Sequence, residues 1–120
     1  MNDTGRAGEE FAARWLERHG MRVLDRNWRQ GRNEIDLIMR DGATIAFVEV
    51  KTRRLGPGGT PAAAVNAAKR RKLARAAAAW IATRPGEGRE FRFDIVEVTI
   101  AAGGAPLIEH WPDAFRTDES

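Results

Sequence analysis

The segment from residue 33 to residue 54 constrains this chain more than any other. Two apolar runs, Glu34-Ile35-Asp36-Leu37-Ile38 and Phe47-Val48-Glu49-Val50-Lys51, flank Arg40-Asp41-Gly42-Ala43. Asp-Gly between apolar runs is a strong hairpin signal, because both central residues of a type I′ turn need positive φ. With Asp41-Gly42 as the turn, Ile38 faces Ile45, Asp36 faces Phe47 and Glu34 faces Glu49. Directly opposed residues share a face, and side chains alternate faces along a strand. Glu34, Asp36, Glu49 and Lys51 are therefore expected on one side of one hairpin. That register makes Asp36 and Glu49 diagonal neighbours, roughly 7–8 Å apart between backbones.

Two carboxylates converging on one point repel each other unless a positive charge sits between them. A hard cation such as Mg²⁺ meets that need. It takes oxygen ligands and is often held by one or two carboxylates, with water and substrate phosphate completing its shell. Lys51, two residues from Glu49 on the same face, is placed to orient an attacking water or to stabilise charge developing on phosphorus. The alternative is a solvated strand face, since alternating charges usually mark one. The second strand argues against it. Ile45 and Phe47 precede Glu49 on one face, and Ala46, Val48 and Val50 fill the other. A charged cluster at the end of a strand covered on both faces reads as a site.

The 120 residues suit a single domain with one core over residues 5–116 and a frayed tail at 117–120. No apolar run reaches membrane-spanning length, and Met1-Asn2-Asp3-Thr4-Gly5 lacks a secretory pattern, so a cytoplasmic location away from membranes is expected. The chain has no cysteine, which removes disulfides and cysteine-ligated zinc. The net charge is only +3, yet the sequence pI is about 10.2. The basic residues gather in Lys51-Thr52-Arg53-Arg54 and in Lys69-Arg70-Arg71-Lys72 with Arg75. Such clusters are either a nucleic-acid footprint or a solvated helix face with a basic loop.

Along the chain, residues 4–19 read as a helix capped by Asp3 or Thr4, with Phe11, Ala12, Trp15 and Leu16 on its inner face. Met21–Asp25 is a short strand, followed by a polar stretch to Gly31 in which Trp28 either stacks on a base or, the more common role for a tryptophan, anchors the chain to the core. After the hairpin comes a glycine-rich loop, and Thr60-Pro61 begins a long helix ending near Thr83. Lys69 interrupts the inner stripe of Val65, Leu73, Ala77 and Trp80. It either snorkels past the core edge or brings its ammonium to the carboxylates or a phosphate. Residues 90–100 alternate well as a strand in which Asp94 pairs with a basic residue. Pro106–Trp111 is a short last strand, and Pro112–Phe115 docks back on the core. Helix, strand, hairpin, helix and strand give an α/β layer fold with a mixed sheet.

Asp36 followed by Glu49-Val50-Lys51 at the end of the next strand resembles the PD-(D/E)XK nuclease signature, with Ile35 in place of its proline. Gly8-Glu9-Glu10-Phe11-Ala12, Arg26-Asn27-Trp28-Arg29, Asn33-Glu34-Ile35-Asp36-Leu37-Ile38, Phe47-Val48-Glu49-Val50-Lys51-Thr52-Arg53 and Phe93-Asp94-Ile95-Val96 together resemble the bacterial YraN (UPF0102) family. Asn33 stands where that family usually has glycine, and asparagine tolerates left-handed backbone well. The resemblance implies a restriction endonuclease-like three-layer core, a mixed β-sheet flanked by helices, similar to archaeal Holliday junction resolvases. It implies Asp36, Glu49 and the Val50 carbonyl as ligands of Mg²⁺ or Mn²⁺, Lys51 as the catalytic lysine, and Glu9 as a further acidic member of the site. Arg53, Lys69, Arg70, Lys72 and Arg75 are the expected nucleic-acid contacts. The implied activity is metal-dependent hydrolysis of DNA, branched or junction DNA included, and cutting a symmetric junction implies a homodimer. A nucleic-acid-binding module without turnover is the alternative on the same fold.

Overall fold

The computed structural model describes residues 3–55 and 65–116. Its elements run α1 (Asp3–Arg18), β1 (Arg22–Gln30), β2 (Asn33–Asp41), β3 (Thr44–Arg54), α2 (Ala67–Thr83), β4 (Glu90–Ile100) and β5 (Leu107–Phe115). The five strands form one sheet in sequential order. β3 and β4 are parallel and every other neighbouring pair is antiparallel. A parallel pair needs a crossover, and α2 lies between these two strands in the chain.

Strand alternation sends two sets of apolar side chains to opposite faces, and each face takes one helix. Ala12, Ala13 and Leu16 of α1 pack against Leu37, Val48 and Val96. Leu73, Ala77 and Trp80 of α2 pack against Ile38, Ile45 and Phe47. The fully buried Trp80 also donates from Nε1 to Asp25 Oδ2 at 2.8 Å, which ties α2 to β1. The result is the α/β layering expected from the sequence, a mixed sheet with a helix on each side.

The hairpin register differs from expectation. Asp41 pairs with Thr44, Ile38 with Phe47 and Leu37 with Val48. The two-residue loop is Gly42-Ala43 rather than Asp41-Gly42. Of these two, Gly42 alone has positive φ, 64°, which is the requirement of a type II′ turn with glycine first. The shift is by two residues, so the paired residues, Leu37 to Asp41 and Thr44 to Val48, keep their expected faces. Continued by one residue, this register sets Asp36 directly opposite Glu49, not diagonal to it.

Three element limits also move. β1 absorbs the polar stretch through Trp28 and reaches Gln30, because it pairs with β2 along its length. α2 begins at Ala67, where Asn66, in extended conformation, caps the helix by accepting from Lys69 N at 2.9 Å. The expected start at Thr60-Pro61 lies outside the described residues, as do the glycine-rich loop from residue 56 and the tail at 117–120; the Asp3 or Thr4 cap lies outside the described side chains. β5 continues through Pro112 to Phe115, and its register slips between Trp111 and Phe115 at a bulge holding Asp113 at φ 52°.

α1 approaches β3 closely enough to exclude a side chain at Gly8. A Cβ there would lie 1.9 Å from Thr52 Oγ1 and 2.9 Å from both Thr52 Cβ and Cγ2. The contact holds the first turns of α1 beside the charged end of β3. Gly8→Ala is expected to lower stability by about 1–2 kcal/mol, since overpacking of 1–3 kcal/mol outweighs a helix-propensity gain of about 1 kcal/mol. A urea melt of the variant checks this; an unchanged or higher midpoint would show that α1 can shift freely.

Candidate functional site

The charged end of the hairpin sits where β2 and β3 part. Their pairing stops at Leu37 and Val48. Just beyond, the Val50 N–H donates to Asp36 Oδ2 at 2.8 Å, so a side chain stands where a backbone carbonyl would continue a ladder. Alternation also fails across Asp36: Ile35 packs with the α2-side cluster, and Leu37 with the α1-side cluster. This local twist lets both helices reach one pair of carboxyl groups.

From the α1 side comes Glu9, which is hydrogen-bonded to Asp36 and to Asn27. Asn27 has φ 48°, a left-handed conformation that asparagine adopts more readily than most residues. From the α2 side comes Lys69, whose Nζ lies 3.4 Å from Glu49 Oε2. Lys51 Nζ lies 3.5 Å from the same oxygen. Glu49 is buried, and two ammonium groups offset the cost of its charge there. Among the described residues no cation is paired with Asp36. Burial and its hydrogen bond and repulsion with Glu49 push the Asp36 carboxyl up to about 9, against the opposing bond from Val50 N–H. At neutral pH Asp36 therefore keeps its proton, in a hydrogen bond with Glu49. Burial also raises Glu9, the Asn27 hydrogen bond opposes this, and the Glu34 and Glu49 carboxylates add to the rise.

The neighbouring Glu10 behaves differently. It is exposed, pairs with Arg14 at 3.1 Å and Arg26 at 2.7 Å, and is held below its usual range by those hydrogen bonds. Adjacent glutamates on one helix thus divide into one turned to the sheet end and one fixed in a surface ion pair.

Asp36, Glu49, Lys51, Glu9 and Val50 come together, and Lys69 joins them. Val50 meets the cluster through its N–H. Arg53 is drawn to β4, 3.2 Å from Thr99 Oγ1 and 3.7 Å from Glu97. Arg70 bonds to Val65 O at 3.1 Å and stacks over Phe115, so it is held by the protein itself. Lys72 and Arg75 are exposed on α2. Sequence reasoning missed Asn27, whose signal is the tolerance of asparagine for positive φ, and Arg29 and Arg32 beside α2, for which spacing gives none.

The donors suit a hard divalent cation: two carboxyl groups, a backbone carbonyl and a third acid nearby. Among the described residues no three His, Cys, Asp or Glu side chains are gathered as a ready cage. Asp36, Glu49 and Val50 fit an ion whose remaining ligands are water and a substrate phosphate, the usual way Mg²⁺ is bound.

Fold and cluster together define an α/β protein with an acid–lysine centre set into the parting of two strands. The chain belongs to the uncharacterised protein family UPF0102, whose profile matches residues 8–98. Relatives described as UPF0102 proteins occur in Nocardia farcinica, 48% identical over 92% of this chain and 87% of the relative, and in Anaeromyxobacter dehalogenans, 45% identical over 95% and 84%. The relative in Geobacter sulfurreducens is 44% identical over 93% and 88%. No helix among the described residues is long and apolar enough to cross a membrane.

Proposed function

We propose that this protein is a divalent-cation-dependent endonuclease that hydrolyses DNA phosphodiester bonds, those of branched DNA included. The observation that carries this reading is the convergence of Asp36 and Glu49 where β2 and β3 part, with Asp36 on the Val50 N–H at 2.8 Å and Lys51 Nζ 3.5 Å from Glu49. A metal ion bound by Asp36, Glu49 and the Val50 carbonyl would supply Lewis-acid polarisation of a phosphoryl oxygen. Lys51, held beside Glu49, orients the attacking water and stabilises charge building on phosphorus. The water oxygen bonds to phosphorus, one ester P–O bond breaks, and the departing oxygen takes up a proton. Glu9, with its raised pKa, is a third oxygen donor at the margin of this centre. Lys69 neutralises the charge left on Glu49.

A second reading keeps the fold and nucleic-acid binding without turnover. It draws on the two lysines that already occupy Glu49. The two readings separate in a cleavage assay on labelled linear duplex, single strand, flap and four-way junction, each with Mg²⁺, Mn²⁺ or EDTA. The nuclease reading expects metal-dependent cutting that falls at least 10²–10³-fold in Lys51→Ala, the size of effect seen when one electrostatic stabiliser is removed. The variant should keep its melting profile. Binding that weakens with salt, without cutting on any substrate, would move the assignment to the binding module.

A further inference from the structure

The tip of the β1–β2 hairpin and the first turns of α2 face each other across a cleft of about 230 Å³. Arg29, Arg32 and Glu34 line it from the hairpin, and Lys69 and Lys72 from α2. Four cations thus meet one carboxylate, and that carboxylate is already held by Arg29 Nε at 2.8 Å. Arg32 and Lys72 are exposed and form no ion pair among the described residues. Lys69 belongs to both places, since it lines the cleft and lies 3.4 Å from Glu49 Oε2. Lys69 thus joins the cleft to the acid–lysine centre.

Like charges converging on a concave polar surface repel one another unless an anion is bound between them. The cleft is too small for a base pair and large enough for a phosphate with its adjoining sugar atoms. We infer that it seats backbone phosphates of the DNA strand leading to Glu49, held by Arg32 and Lys72 from opposite walls. The inference rests on the nuclease reading for the strand's destination, but the phosphate contacts themselves require no turnover. It adds the hairpin tip to the contact surface and makes α2 and the hairpin two jaws on one strand.

The test is fluorescence anisotropy of labelled duplex and single-stranded DNA in EDTA over a range of KCl, with cleavage measured separately in Mg²⁺. Arg32→Ala with Lys72→Ala removes one cation from each wall. Arg89→Ala with Arg116→Ala removes the same charge from a cavity at the other end of the sheet. Each phosphate contact contributes about 0.9 to the slope of log K against log salt for duplex and about 0.7 for single strands. The cleft pair should lose about 1.8 of that slope on duplex and at least tenfold in affinity, and the distant pair should lose less than half as much. Arg32→Glu alone, on the hairpin tip, provides the same readout should the double variant lose its fold. Equal slopes for the two pairs, or no DNA binding by the wild type, would overturn the inference. Loss of slope in the cleft pair with no cleavage by the wild type would support the cleft and sink the nuclease reading. Cleavage by the wild type with unchanged slope would do the reverse.

Discussion

Asp94→Ala is expected to cost about 3–5 kcal/mol of stability, the usual loss when one partner of a buried ion pair is removed, and to lower Tm by roughly 10–20 °C. Asp94 is 0% exposed. It accepts from Arg92 Nε at 2.9 Å, His110 Nε2 at 2.8 Å and the Asp113 N–H at 3.0 Å. Burial alone would raise its pKa, but the bonds from His110, Arg92 and Asp113 hold it below the usual carboxylate range. A lowered folded pKa contributes stability that is present above the unfolded value, near 3.8, and lost as pH falls through the folded value. Truncation leaves the Arg92 guanidinium with Asp41 alone and frees the β5 bulge at Asp113. Asp94→Asn keeps the shape without the charge and should cost less than Asp94→Ala. A thermal melt of Asp94→Ala within 2 °C of wild type would show that this cluster does not hold β4 to β5.

Asp36→Asn is expected to act in the opposite direction, raising the stability of the protein in EDTA at neutral and alkaline pH. The folded carboxyl titrates at about 9, against 3.8 in the unfolded chain. Between those values the folded state holds a proton that the unfolded state has released. The favourable contribution is therefore complete below about pH 4 and is lost as pH rises through about 9, at up to roughly 1.4 kcal/mol per pH unit. Asparagine mimics the protonated acid and has no such dependence. The difference in urea midpoint between variant and wild type should be small near pH 5 and should grow toward pH 9. A difference that stays constant with pH would show that Asp36 holds no proton in the folded state at neutral pH. Both proteins keep Asp94 and the other titrating groups remote from Asp36, so those contributions cancel in the difference. Divalent cation should stabilise wild type more than the variant, since binding to the native state adds RT ln(1 + [L]/Kd).

The faces of the strands were legible in the sequence, but the register was not, and the reason is physical. Alternation of apolar and polar residues fixes parity, because a one-residue slip would turn Ile38 and Phe47 outward. A two-residue slip violates nothing in the pattern. Asp41-Gly42 and Gly42-Ala43 both place glycine where positive φ is needed, so the turn could not decide between them. The grouping of Asp36, Glu49 and Lys51 survives either choice. What changes is that the register, continued by one residue, brings Asp36 opposite Glu49, within hydrogen-bond reach of it.

Lys69 was legible as an interruption of an apolar stripe, but only the packing of α2 over β2 and β3 sets its ammonium on Glu49. Thr-Pro and Asn are both good helix openers; α2 begins at Ala67, with Asn66 accepting from Lys69 N, and Thr60-Pro61 lies outside the described residues. Glu9 and Glu10 are indistinguishable by position in the first turns of α1. Their separation comes from the close contact of Gly8 with Thr52, a property of two elements that no single segment encodes. Arg29 and Arg32 carry no pattern of their own, and their role arises only where the hairpin tip meets α2.

The bulge in β5 bears on how copies of this protein avoid one another. An open sheet ends in strands with unsatisfied backbone groups, which invite pairing with a foreign strand. β5 is such an edge, with β4 on its other side. Pro112 has no N–H to offer, and the left-handed Asp113 turns the chain so that its own N–H is spent on Asp94. The outer edge is thereby interrupted before Phe115 returns to the core. The same buried carboxylate that locks β4 to β5 also shortens the stretch of backbone on which an aggregating neighbour could zip.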